Sequence, residues 1–104
     1  MLVIKAGDSE RTITDLLTVN GAAVDLTSAT VTFVVRAPDG FVTHYGATVT
    51  SPPTGGLVSY RLTGTEFPME GNYEYGWGVV FQDNGAMEFP EAGWGGVRVI
   101  SALG

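Results

Sequence analysis

Histidine is the side chain that most often holds a metal or moves a proton near neutral pH, and this chain carries one, His44. In the run from Val42 to Val49, His44 falls in phase with Val42, Gly46 and Thr48 and opposite Tyr45, Ala47 and Val49, so it reads as a strand residue on a solvent face. There is no cysteine, which removes thiolate zinc sites, disulfide frameworks and cysteine nucleophiles together. A zinc site would need three carboxylates beside His44, and neither His-x-His nor His-Glu-x-x-His spacing occurs. Ser9, Ser28, Ser51, Ser59 and Ser101 all lie outside a Gly-x-Ser-x-Gly elbow.

Paired carboxylates could still do acid–base work on a sugar, and Glu66, Glu70, Glu74, Glu88 and Glu91 form the pool. On strands and turns their expected role is that of solvating charges. Gly7-Asp8-Ser9-Glu10 and Asp83-Asn84-Gly85 offer oxygen ligands without the alternating carboxylates of a calcium loop, and read as Asx turns. Gly64, Gly71, Gly93, Gly95 and Gly96 are too scattered to cradle a phosphate. The residues therefore imply no enzyme, no metal and no cofactor.

What remains is surface. Tyr60, Tyr73, Tyr75, Trp77 and Phe81 share the inward phase of their segments and read as core. Trp94, within Glu91-Ala92-Gly93-Trp94-Gly95-Gly96, has glycine neighbours that give its indole little local cover. It reads as packing over the end of the fold or as a partner contact. Gly76, Gly78 and Val80 occupy the outward phase of the segment 72–81, where bare backbone would let a neighbouring subunit or the Trp94 loop approach closely. These four, Trp94, Gly76, Gly78 and Val80, are the candidate interface residues.

The elements that must position them are strands. Fifteen glycines and five prolines punctuate segments rich in Val, Thr, Phe and Tyr. Val31, Phe33 and Val35 alternate with Thr30, Thr32 and Arg36; Val58, Tyr60 and Leu62 with Leu57, Ser59 and Arg61; and the odd positions from Tyr73 to Phe81 with Asn72, Glu74, Gly76, Gly78 and Val80. Weaker strands are expected at Leu2–Lys5, Thr12–Val19, Val42–Val49, Met87–Phe89 and Val97–Ile100, for about eight in all. Asn20-Gly21, Pro38-Asp39-Gly40, the Pro52-Pro53 stretch and Asp83-Asn84-Gly85 supply the turns. One helical turn is expected near Thr63–Phe67. Strict alternation turns Asp15 inward between Ile13 and Leu17, which a bulge would relieve. The expected fold is all-β: a single domain over residues 1–104, with two packed antiparallel sheets.

At 104 residues a single core suffices without staples. Only 15% of residues are charged, against the roughly 25% usual for soluble domains, which suits a surface that meets other chains. With 5 Lys+Arg against 11 Asp+Glu the net charge is −6, which would repel a nucleic acid backbone. The first residues carry Lys5 inside a short apolar run, so neither a targeting signal nor a membrane span is expected.

Glu70-Gly71-Asn72-Tyr73-Glu74-Tyr75 resembles a tyrosine corner, which implies an immunoglobulin-like β-sandwich with Tyr75 where antibody domains place a cysteine. The larger pattern runs through Gly7-Asp8, Asn20-Gly21, Val24-Asp25-Leu26-Thr27, Val31-Thr32-Phe33, Gly56-Leu57-Val58-Ser59-Tyr60, Gly71-Asn72-Tyr73 and Glu88-Phe89-Pro90. In this order it resembles the immunoglobulin-like N-terminal domain of phage baseplate upper proteins and related small tailed-bacteriophage virion proteins. That resemblance implies a structural protein of the virion, in tail, baseplate or fibre attachment, assembling in many copies with other virion proteins. Baseplate upper proteins continue into helical linkers and a trimerising part with no counterpart before Gly104, so the expectation is a standalone adaptor. The alternatives are a capsid decoration protein, a carbohydrate-binding module that stacks host-surface glycans on Trp94 and exposed tyrosines, and a secreted inhibitor or adhesin domain.

Overall fold

Phe33 has no exposed surface, and the sandwich is arranged around it. The computed structural model describes residues 2–19, 21–81, 85–89 and 95–100. Its strands are β1 (Leu2–Lys5), β2 (Thr12–Leu16), β3 (Thr18–Val19), β4 (Ala22–Ala23), β5 (Thr30–Arg36), β6 (Val42–Gly46), β7 (Thr48–Val49), β8 (Leu57–Arg61), β9 (Gly71–Val80), β10 (Ala86–Phe89) and β11 (Gly95–Ile100). One sheet has the order β1-β11-β9-β5-β6, with β10 also paired to β9. The other has the order β2-β8-β7, and β3 and β4 form a small hairpin. The all-β sandwich expected from the alternation, immunoglobulin-like as the tyrosine corner implies, is the observed architecture.

Within β5, Val31, Phe33 and Val35 are buried as their period predicts. Phe33 stacks on Tyr60 of the facing sheet at 4.8 Å and meets Trp77 at 5.0 Å and Tyr75 at 5.7 Å. Tyr73 and Trp77 are buried, while Tyr60 and Phe81 are half-buried. The Tyr73 hydroxyl donates to the Met69 carbonyl at 3.1 Å, closing the tyrosine corner.

Several expectations are corrected. The sheets are not wholly antiparallel, because β1 pairs with β11 in parallel. The expected strand Thr12–Val19 breaks at Leu17, whose N–H bonds the Gly56 carbonyl at 2.8 Å and whose carbonyl accepts from Val24 N–H at 2.9 Å. The expected strand Val42–Val49 breaks at Ala47, where the chain leaves one sheet for the other.

There is no bulge at Asp15: β2 pairs one-to-one with β8 from Thr12↔Arg61 to Leu16↔Leu57. Asp15 points inward and is satisfied there, since the Trp77 indole N–H donates to its Oδ2 at 2.7 Å. Thr63–Phe67 forms bends, not a helical turn; the 3-10 turn lies at Pro53–Gly55, after a cis Ser51–Pro52 peptide. Gly56 closes that turn at φ 71°, where a Cβ would sit 2.7 Å from the Leu17 carbonyl and 3.1 Å from Val24 N. Only glycine lets these three backbone segments meet.

Candidate functional site

The segment after β8 is drawn into the fold by one carboxylate. Leu62 N–H bonds the Arg11 carbonyl at 2.9 Å, and from there the chain folds back so that Glu66 is 3% exposed. Its Oε1 accepts from Thr63 N–H at 2.9 Å and Gly64 N–H at 3.2 Å. Its Oε2 accepts from the Thr63 hydroxyl at 2.7 Å and the Tyr60 hydroxyl at 2.5 Å. Burial works to raise the carboxyl's pKa, yet the hydrogen bonds from Thr63 and Tyr60 outweigh it and hold the group below its ordinary value. Glu66 is therefore an anion at neutral pH. Among the described residues no Lys or Arg comes within ion-pair distance of it; the ion pair there joins Arg36 to Glu74 across β5 and β9 at 2.6 Å.

This carboxylate lies beside a groove of about 430 Å³, within the range of ligand sites. Val35 and Ala37 at the end of β5 line the groove, with Phe41 and Tyr45 from the β6 side and Met69 and Tyr73 from the segment before and within β9. Phe41 and Met69 form apolar lips that are 70% and 71% exposed. The Pro38-Asp39-Gly40 turn presents Phe41, with Asp39 Oδ1 accepting Phe41 N–H at 2.9 Å. Asp39 and Glu70 add carboxylates to the lining, and no Lys or Arg lines it.

The charge of Glu66 is felt on the groove wall. Burial first, and then that charge, raise the pKa of the Tyr45 hydroxyl. The Tyr60 hydroxyl is pushed up further by burial and by its hydrogen bond to Glu66. Tyr75 is raised by burial, then by the charge of Asp15 and a hydrogen bond to it. A second depression of about 310 Å³ lies on the other side of Glu70, lined also by Asn72 and Arg98 and lacking aromatic walls.

The residues singled out from sequence fall elsewhere. Gly76 is buried, Gly78 half-buried and Val80 46% exposed; Trp94 lies outside the described residues. A Cβ on Gly78 would meet Thr32 Oγ1 at 2.8 Å, so the bare backbone there gives room to a side chain of the neighbouring strand. His44 is exposed on the outward face of β6, as its phase predicts. Glu74 and Glu70 are surface charges, but Glu66 is not the solvating charge it was expected to be. The signal for it was Thr63-x-x-Glu66, the spacing of a capping box, of which the structure keeps the reach of the Glu back to the Thr N–H.

No family model matches this chain, and no curated protein does. Solved structures do match. One is CopC from Methylosinus trichosporium OB3b, at a TM-score of 0.57 and 13% identity, covering 97% of this chain and 84% of that one. At that identity the likeness shows the fold alone. The functional expectation is corrected on that match: the similar structure is CopC and not a phage structural protein, and the virion reading is withdrawn with its decoration and carbohydrate-binding alternatives. The physical reason is that the motifs behind that reading, Gly71-Asn72-Tyr73 above all, build a corner any such sandwich can use.

Metal ligands do not gather among the described residues. No three His, Cys, Asp or Glu side chains among them come together as metal ligands.

Proposed function

We propose that this domain is a non-catalytic binding module whose groove seats a cationic side chain, arginine or lysine, presented by a partner protein. The observation that carries the reading is Glu66, a buried carboxylate with four hydrogen-bond donors and no counter-cation among the described residues, set beside an aromatic groove. A charge balanced by donors alone leaves a negative field where a cation would enter. Phe41 and Tyr45 supply aromatic rings for a guanidinium or ammonium group. Asp39 and Glu70 add charge of the same sign, and the net charge of −6 steers cations towards the domain.

Titration with Nα-acetylated arginine amide and with its neutral isostere, Nα-acetylated citrulline amide, followed by amide chemical shifts, tests this. Arginine amide should shift the resonances of Phe41, Tyr45 and Met69, weaken with salt, and bind roughly 2- to 30-fold more weakly to Phe41→Ala, the range that a cation–π contact spans. Equal binding of citrulline amide, or no binding of either, overturns the proposal.

A further inference from the structure

The groove opens beside β6, which ends its sheet and, among the described residues, pairs only with β5. Hydrogen bonds at both ends of that pairing fix which backbone groups of β6 are used. Ala37 N–H bonds the Phe41 carbonyl at 2.9 Å, and Ala47 N–H bonds the Val31 carbonyl at 3.0 Å. Antiparallel rungs alternate between bonded and unbonded pairs. With the register Val35↔Thr43 and Phe33↔Tyr45, the bonded rungs fall at Thr43 and Tyr45. The N–H and C=O groups of Val42, His44 and Gly46 therefore point away from β5, to the open edge. By the same alternation Thr43 and Tyr45 turn their side chains inward, onto the groove, while Val42, His44 and Gly46 are exposed.

Sheet edges are commonly blunted by lysine, proline or a bulge. β6 has no lysine and no proline, and it pairs one-to-one over its five residues. The opposite edge strand, β1, carries Lys5. Of the two ends of the β1-to-β6 strand order, the one without such a device lies beside the acidic, aromatic groove.

We infer that the partner segment is an extended strand that adds to the free edge of β6 and lowers alternate arginine or lysine side chains into the groove. The inference rests on the groove reading above and names the form in which the cation arrives. An added strand lies about 4.8 Å from β6, so its inward side chains stand next to Thr43 and Tyr45. Main-chain bonds to Val42, His44 and Gly46 supply affinity, and the groove selects the side chains. A second copy of this chain is the wrong occupant. Its own β6, Val42-Thr43-His44-Tyr45-Gly46, has no lysine or arginine, and pairing two copies would bring Asp39, Glu66 and Glu70 of two like-charged grooves together.

The test uses the whole domain and a capped hexapeptide of alternating threonine and arginine. Two further versions carry N-methyl groups on the threonine amides or on the arginine amides. In an antiparallel addition the threonine amides face β6, and in a parallel one the arginine amides do. The parent peptide should bind more tightly than arginine amide and protect the Val42, His44 and Gly46 amides from hydrogen exchange. One methylated version should lose about tenfold or more in affinity, as expected for several lost main-chain bonds. Equal binding by all three peptides overturns strand addition while leaving the groove reading intact, provided arginine amide still binds. Failure of arginine amide and of every peptide overturns both. Protection of the same three amides on concentrating the protein alone, with dimer formation, assigns the edge to a second copy and also overturns the inference.

Discussion

Replacing Glu66 with glutamine keeps the shape of the side chain and removes its charge. The amide oxygen can still accept from Thr63 N–H and Gly64 N–H, but the amide nitrogen then faces the hydroxyls of Thr63 and Tyr60, which must turn round to accept. Hydrogen bonds to a charged group are worth about 1.5–3 kcal/mol each, and neutral ones about 0.5–1.5 kcal/mol. Relief from burying a charge works in the opposite direction. With four donors converted or reversed, the loss should outweigh that relief and leave the variant about 2–4 kcal/mol less stable at pH 7. At this chain length each kcal/mol moves Tm by about 4 °C, so calorimetry should show a fall of roughly 8–16 °C.

The pH dependence gives a second reading of the same carboxylate. The folded pKa lies below the ordinary value of 4.5, so the stabilisation from Glu66 is complete above that pH and drains away as pH falls through the folded value. Glu66→Gln has no such carboxyl, so the stability gap between variant and parent should narrow below about pH 4.5. A variant as stable as the parent at pH 7, with a gap independent of pH, would refute the argument that the donors hold a buried anion.

Three other outcomes follow from the packing. Phe33→Ala removes the side chain on which Tyr60, Tyr75 and Trp77 converge and should cost about 3–5 kcal/mol in chemical denaturation; a loss below about 1 kcal/mol would contradict its central position. Gly56→Ala puts a Cβ 2.7 Å from the Leu17 carbonyl at a positive φ, and should destabilise by more than the roughly 1 kcal/mol of the backbone term alone, with amide exchange rising first at Leu17 and Val24. Tyr45, Tyr60 and Tyr75 have hydroxyls raised above their ordinary value of 10.0, so their neutral forms stabilise the fold below that pH and the contribution is lost as pH climbs above it. Ultraviolet titration should find these three ionising late and together with alkaline unfolding.

Local alternation was enough to reveal β5, β8 and β9, because each has one face on the core and the period of two shows which. Tyr73 was legible as a corner for the same reason: its partner, Met69, is four residues away. The breaks at Leu17 and Ala47 were not legible, since they are made by the carbonyls of Gly56 and Val31, which belong to other parts of the chain. Asp15 looked like an error of register until Trp77, 62 residues on, supplied the indole N–H. The groove joins residues 35–45 to residues 65–73 across two turns, and no single segment carries its pattern. Glu66 came closest to being visible through its capping-box spacing, but its burial depends on Tyr60 from the preceding strand.

The parallel pairing of β1 with β11 has a mechanical consequence. Leu2 lies beside Val97 and Lys5 beside Ile100, so the outer end of the first strand and the outer end of the last point in opposite directions along one seam. Tension entering ahead of Leu2 and leaving beyond Ile100 slides the two strands past each other and loads the whole ladder of paired residues at once. An antiparallel seam pulled at the same two points would open like a zipper, one rung after another. Under such a pull the force at which this seam yields should depend on Ile4, Val97 and Val99, its buried residues.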